Sequence, residues 1–270
     1  MTIRPLQTAA ELRACVALQE STWGPGFSER VPYAVLWFSR RIGGVLLGAF
    51  DGVDLVGFVF GLTGLRDGLP LHWSDMLAVR SDARNRGIGV RLKLAQREAL
   101  LQSAVSEAQW TFDPLESRNA YLNLDRLGVI AREYVRDVYG ASDSPLHDVI
   151  GTDRLVAEWH IDSPRVVHRV AQAQRTGAIR DAPAVNEVEM LGGVPCCGAM
   201  STALDDPIVA LLIPASIQAV KTNDGAAARA WRAATREAFE HYLPRGYVVT
   251  ELVRRTPQVS AYLLERDFTI

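Results

Sequence analysis

Cysteine is scarce in this chain: Cys15, Cys196 and Cys197 are the only three in 270 residues. An odd number, two of them adjacent, gives no framework of bridges, so a packed core has to hold the fold. The adjacent pair could in principle bind metal or cycle its redox state. However, no second Cys or His pair stands at ligand spacing from it. It reads as two small buried residues in a Gly-rich loop, and no metal is expected. Net charge is nearly absent too, at −2 from 29 basic and 31 acidic residues. So weak a global field draws in neither nucleic acid nor an anionic membrane surface, and any anion bound must be held by a local arrangement. Long apolar runs are also missing. No stretch reaches the roughly eighteen apolar residues of a membrane-crossing helix. The N-terminus has no basic segment leading into an apolar one. The expectation is a cytoplasmic protein with no membrane and no nucleic-acid partner.

What is present is an ordinary globular composition, 48% apolar and 22% charged. The length suits one large or two small domains burying about 70–75% of the unfolded surface. Residues 2–6 read as a short edge strand. Thr8-Ala-Ala-Glu11 has the form of a capping box, and its helix is expected to reach about Thr22. A second helix is expected over about 32–42, and strands over 45–50 and 55–61 should pair through the Asp51-Gly52 turn. Residues 71–79 are the next strand. A helix opens at the turn near Arg84, then come a strand over 107–112, a helix over 117–127 closed by Gly128, and strands over 131–138 and 155–161. The texture changes near Ser163. Residues 165–176 read as a helix, 177–201 as irregular chain, and 208–214 as a buried strand. A long helix starts at Asn223-Asp224-Gly225 and carries apolar residues three and four apart to Tyr242. Strands over 246–253 and 260–264 should then pair. The fold class is a mixed α/β (α+β) sheet flanked by helices. Domains are expected at 1–162 and 163–270, the second a smaller α/β half-repeat or lid.

The most specific local signal is the turn Arg84-Asn85-Arg86-Gly87-Ile88-Gly89, between the apolar Leu77-Ala78-Val79 and an amphipathic helix. The first donors of a helix have no internal partner, so N–H groups at such a turn make an anion site. Glycine at 87 and 89 removes the Cβ atoms that would hold a phosphate off the backbone. Arg84 and Arg86 add charge beside it. This is a diphosphate cradle. It is not a P-loop, because no Lys-Ser or Lys-Thr follows the glycines, and Leu92 stands where a dinucleotide fingerprint needs its third glycine.

The pattern [Q/R]-x-x-G-x-[G/A] after a strand ending Leu-x-Val resembles the acyl-CoA-binding segment of the GNAT superfamily of N-acetyltransferases. The element order through residue 161 is also the order of that fold. Further markers are Trp110-Thr-Phe-Asp-Pro-Leu115, Asn119-Ala120, Arg126-Leu-Gly128, Tyr134, Tyr139-Gly140, Asp153-Arg154 and Glu158-Trp159. Together they resemble a subgroup of predicted bacterial acetyltransferases with a C-terminal extension. Some of that subgroup are associated with N-acylamino-acid racemases and are understood to succinylate amino acids. The resemblance covers residues 30–165 best. It implies acetyl-CoA or succinyl-CoA as donor, a small amine such as an amino acid as acceptor, and direct transfer. No Ser-His-Asp or Cys-His arrangement stands at a suitable motif, which agrees with direct transfer. Carried over, Leu77, Ala78 and Val79 hold the pantetheine arm through their main chain, Arg84 to Gly89 hold the diphosphate, and an N–H near Leu77 meets the thioester oxygen. Asn119 and Asn123 are candidates to bond CoA, or else to cap or solvate their helix. The turn after 208–214 lacks the motif, so no second CoA site is expected. The alternatives are a non-catalytic acyl-CoA-binding regulatory module and a protein or peptide N-acetyltransferase. A homodimer is left open.

Candidates for proton transfer are less sharply defined. The family uses a carboxylate, or a water held by one, as base. Asp75, two residues before Leu77 and expected on its face, and Glu158 on a late strand are the candidates. The competing readings are a structural hydrogen bond for Asp75 and an ion pair with an arginine such as Arg154 for Glu158. His72 and His160 read as exposed-strand or pocket residues. The tyrosine the family often uses as acid is replaced by Leu124; Tyr121 is the nearest on that helix but projects about a quarter-turn away, and Tyr134 on the following strand is the other candidate. Trp73, Trp110, Phe112, Tyr134 and Trp159 form either core or an aromatic wall for an apolar acceptor. One of Arg118, Arg132 and Arg154 could bind a carboxylate as a bidentate pair.

Overall fold

In the computed structural model, which describes residues 1–140, 150–172 and 181–270, the capping box is formed as its spacing predicts. The Glu11 N–H donates to the Thr8 hydroxyl at 3.2 Å, and the Thr8 N–H donates back to the Glu11 carboxylate at 3.1 Å. The described residues divide into two compact units. The first holds Met1–Trp110 with His160–Asp162, and the second holds the remaining described residues from Thr111 on.

The first unit runs β1 (Thr2–Pro5), α1 (Ala9–Trp23), α2 (Tyr33–Ser39), β2 (Val45–Asp51), β3 (Asp54–Arg66), β4 (Leu69–Val79), α3 (Ile88–Gln102) and β5 (Glu107–Phe112), whose last two residues lie in the second unit. β1 to β4 pair antiparallel in sequence, and β5 joins β4 in parallel. One face buries Leu12, Cys15 and Leu18 of α1 and Leu36 of α2 against Leu46, Phe58, Phe60, Met76 and Ala78. The other face receives α3: a Cβ at Gly57 would meet Ile88 and Leu92 of that helix at 3.3 Å. α2 stops at Ser39, short of the expected 42, because the Gly44 N–H folds back to the Ser39 carbonyl at 2.8 Å. β3 and β4 run longer than expected, meeting at Asp67 and Gly68, both at positive φ.

The second unit contains α4 (Ser117–Tyr121) continuing into a wider turn over Leu122–Arg126, then β6 (Ile130–Val135), β7 (Arg154–His160) and α5 (Pro164–Ala171). It continues with β8 (Asn186–Leu191), β9 (Val194–Met200), β10 (Ile208–Pro214), α6 (Ile217–Asn223), α7 (Gly225–Tyr242), β11 (Tyr247–Arg254) and β12 (Val259–Arg266). Its sheet pairs β7 with β6, β6 with β11, β11 with β12 and β12 with β10, all antiparallel. Helices and mostly antiparallel sheet make each unit, which is the mixed α/β class expected. Part of the expected helix over 165–176 lies outside the described residues.

Two expectations are corrected. Within 177–201, the described chain is not irregular: β8 and β9 form a hairpin whose turn is Gly192-Gly193, at φ +57° and +83°. Cys196 and Cys197 lie on β9, half-buried, and not in a loop. Two successive residues at positive φ match the right-handed twist of a hairpin, so this glycine pair was a turn signal. Residues 215–224 hold α6, capped by the Ser216 hydroxyl accepting from the Ala219 N–H at 3.2 Å, where a plain turn was expected. Among the described residues, no helix is long and apolar enough to cross a membrane.

Candidate active site

The cradle lies wholly in the first unit. Asn85 and Gly87 take φ of +62° and +72°, the left-handed backbone found in anion-binding turns. Among the described residues, no N–H from 85 to 90 has a protein acceptor, and the first helical bond of α3 runs from Arg91 to the Gly87 carbonyl. A Cβ built at Gly87 would meet nothing within 4 Å, and one at Gly89 only Leu77 Cδ2 at 3.8 Å. Packing therefore does not require glycine at 89. It keeps open the space in front of unpaired donors at the positive end of a fifteen-residue helix. Arg84 and Arg86 flank it, Arg84 anchored by its Nε to the Val79 carbonyl at 3.1 Å, Arg86 beside Asp51 at 3.6 Å. Ile88 and Ala78 have buried side chains, so only their main chain faces a ligand.

Next to the cradle, β4 parts from β5. Their ladder joins His72 to Ala108 and Trp73 to Gln109. Beyond it, among the described residues, 74–79 has no partner on that edge. The parting coincides with a β-bulge: Phe60 faces Met76 and Leu62 faces Trp73, so Ser74 and Asp75 together oppose Gly61. The bulge also switches faces. His72 and Ser74 reach α3, as Leu77 does, while Met76 and Ala78 belong to the core beneath α1. Simple alternation from Leu77 therefore does not give the face of Asp75, which instead hydrogen-bonds Trp73. Asp75 is solvent-exposed by surface area, yet the protein packed around its carboxyl raises it above its ordinary value, and the Trp73 bond opposes that rise. A carboxylate raised in this way, next to an unpaired strand edge, is a candidate base.

Beneath the bulge lies a polar network that sequence reading missed. Lys93 and Gln96 of α3 are 3% and 0% exposed, and His72 is fully buried, which corrects its reading as an exposed-strand or pocket residue. Thr63 Oγ1 bonds His72 Nδ1 at 3.0 Å, Gln96 Nε2 bonds His72 Nε2 at 3.0 Å, and Ser74 Oγ donates to Gln96 Oε1 at 3.0 Å. Burial, helped by the charge of Lys93, pushes His72 down to about 3. A signal did exist. Ile88, Leu92, Gln96 and Leu100 repeat every four residues along the buried stripe of α3, and a polar residue on such a stripe needs a buried partner.

The other candidates fall in the second unit. The Tyr134 hydroxyl donates to Asp153 Oδ2 at 2.5 Å and its ring stacks on Phe239. Arg236 grips the same carboxylate through Nε at 2.8 Å and Nη2 at 2.7 Å. Burial alone would raise Asp153, but the bonds from Arg236 and Tyr134 prevail and hold it at about 2. Burial and that carboxylate push the Tyr134 phenol up, so it stays protonated. Glu158 pairs with Arg132 at 2.5 Å; the suggested partner, Arg154, instead lies 3.7 Å from Asp113. Asn119 is exposed on α4, whereas Asn123 is 1% exposed and offers a ligand no surface. Trp110, Phe112 and Trp159 are core residues, the last donating to the Leu127 carbonyl at 2.8 Å, while Trp73 is 40% exposed.

No family model matches this chain, and no curated protein matches it in sequence. Solved structures do resemble it. The ribosomal-protein-S18-alanine N-acetyltransferase from Escherichia coli is 15% identical, aligns over 60% of this chain and 94% of its own, and has a TM-score of 0.47. Aminoglycoside 6'-acetyltransferase type Ii is 16% identical over 60% of this chain and 99% of its own, at 0.48. The protein yncA from Salmonella typhimurium, solved with its cofactor acetyl-CoA, is 15% identical over 60% and 95%, at 0.49.

Proposed function

We propose that this chain is an acyl-CoA-dependent N-acyltransferase that moves an acetyl or succinyl group directly to the amine of a small molecule such as an amino acid. The observation that carries the reading is the cradle: unpaired N–H groups over 85–90 in front of two glycines whose missing Cβ atoms leave open space. It supports a diphosphate ligand at the end of a strand edge that is itself unpaired beyond Trp73. An acyl-CoA would bring both a diphosphate for the cradle and an amide-bearing arm for that edge. Arg84 and Arg86 would add charge to the diphosphate, and the main chain at Leu77, Ala78 and Val79 would bond the arm. Asp75 would accept the proton that the acceptor amine loses. The other carried-over candidates are engaged within the second unit, Tyr134 by Asp153 and Glu158 by Arg132. The acyltransferase domain would span 1–162, with 163–270 as a smaller α/β extension.

The test is a thiol-release assay with acetyl-CoA and succinyl-CoA against a panel of L- and D-amino acids. Turnover with succinyl-CoA and an apolar amino acid is the expected result. Tight CoA binding by calorimetry with no thiol released from any pair would refute small-amine transfer. It would favour a binding module or a peptide acceptor. No CoA binding at all would refute the ligand class.

A further inference from the structure

Lys93 stands at the point where β4 and β5 part. The last ladder pair is Trp73 with Gln109; the next residue on β4 is Ser74 and the next on β5 is Trp110. Lys93 reaches both. Its Nζ donates to Ser74 Oγ at 2.7 Å and lies 3.5 Å from the centroid of the Trp110 ring. A further bond runs to Gln96 Oε1 at 3.2 Å. Ser74 and Gln96 accept N–H bonds from it and the Trp110 ring faces it, while full burial lowers its pKa well below the ordinary lysine value.

Such an arrangement is an expensive way to fill space. Taking an ammonium out of water is heavily penalised, and an apolar side chain of similar volume is often as stable or more so. Directional bonds do what apolar packing cannot: they fix two groups at a set separation and orientation. Here the groups are the first residues of the two strands past their last pair. The network extends behind them through Gln96 and His72 to Thr63 on β3, and Gly61 leaves room for the His72 ring.

We propose that Lys93 is a positioning residue for acyl transfer, tying Ser74 to Trp110 so that the unpaired edge of β4 keeps the geometry in which its main chain meets the thioester arm. This rests on the N-acyltransferase reading above. Misplacement of a reacting group by an ångström is enough to cost two orders of magnitude in rate, whereas the diphosphate cradle, at the start of α3, is made by other residues. Loss of Lys93 should therefore act on kcat and spare CoA binding.

The experiment uses the full chain with Lys93→Met, Ser74→Ala and the double variant. Lys93→Met is expected to melt at or above the wild-type temperature, to bind CoA within about threefold, and to lose at least about thirtyfold in kcat with little change in KM. Ser74→Ala is expected to lose about tenfold, and the double variant to be no worse than Lys93→Met, because the two act through one bond. In hydrogen exchange, the β4 amides past Trp73 should exchange faster in Lys93→Met, with β1 and β2 unchanged. A Lys93→Met enzyme with near wild-type kcat and exchange overturns the proposal. So does a kcat that falls only in step with melting temperature and CoA-binding stoichiometry, which would mark a purely structural role. A wild-type chain that releases no thiol refutes the acyltransferase reading and this inference with it. A wild type that turns over beside an equally active Lys93→Met refutes the inference alone.

Discussion

Gly89→Ala should make the protein more stable and bind CoA more weakly, and the opposed signs make it the sharpest test of the cradle. Outside its own stretch of helix, the methyl group would come no nearer than 3.8 Å to a protein atom, at Leu77 Cδ2, and position 89 is not at positive φ. Alanine is favoured over glycine within a helix by up to about 1 kcal/mol. Gly89 is only the second residue of α3, so about half of that is realistic. In a chain of this size the gain is roughly 1–2 °C in melting temperature. On the ligand side the methyl group occupies the space in front of N–H groups that have no protein acceptor. Keeping a phosphate oxygen from one such donor forfeits about 1.5–3 kcal/mol, or roughly 10- to 100-fold in Kd. Calorimetric titration with CoA, run beside thermal melts, measures both. Pantetheine, which has no diphosphate, should bind the variant and the wild type alike. A Gly89→Ala protein that binds CoA within about threefold of wild type would refute the cradle. So would one that loses CoA and pantetheine together.

Three further outcomes are expected. Gly61→Ala would place a Cβ 2.3 Å from His72 Nε2 and 2.5 Å from the Trp73 carbonyl. It should destabilise by about 3 kcal/mol in urea titration, where a tolerant site would show almost nothing. His72 is held near 3 by burial against an unfolded value of about 6.5, so the folded state excludes its proton. Its contribution to stability is complete above about pH 6.5 and is lost as pH falls toward 3. The stability difference between wild type and His72→Asn should therefore shrink by roughly 2–3 kcal/mol from pH 7 to 4.5, and an unchanged difference would mean that His72 is not neutral and buried. For Asp75, kcat/KM should fall with decreasing pH through a pKa above the ordinary carboxylate range. Asp75→Asn should abolish that limb and cost about 10²-fold in kcat; a limb that survives assigns the base elsewhere.

How much of this was legible in the sequence depends on how local the cause is. The Thr8–Glu11 box, the Asp224 cap of α7 and the turn at 84–89 each depend on residues a few positions apart, and each formed where the spacing placed it. The hairpin of β8 and β9 was also local, through Gly192-Gly193. It was missed because β8 is largely exposed, β9 is half-buried, and neither carries a clean alternation of apolar residues. The bulge in β4 is different in kind. Nothing near Ser74 announces an extra residue; the bulge sits opposite Gly61 on the neighbouring strand, where a missing Cβ leaves room for the His72 ring. Once it forms, His72 and Ser74 share the α3 face with Leu77, and period-two reading of Asp75 fails. The ion pairs behave the same way: Glu158 chose Arg132 on the neighbouring strand over Arg154 four residues away in sequence.

The choice of lysine at 93 is itself informative. Of 29 basic side chains, only Lys93 and Lys221 are lysines, so the chain meets almost every other need for a cation with arginine. A guanidinium carries five N–H donors in a rigid plane, where an ammonium carries three that rotate. At position 93 the recipients include Ser74 Oγ, Gln96 Oε1 and the face of Trp110. An arginine there would bring a rigid five-donor plane in place of three rotating donors, and any N–H it left dry would cost about 1–3 kcal/mol. Its larger head would also press against a strand fork whose spacing the ammonium sets. Lys93→Arg is therefore expected to be less stable than wild type and no more active than Lys93→Met. Recovery of kcat by arginine would mean that position 93 needs only a positive charge, and the directional tie would be wrong.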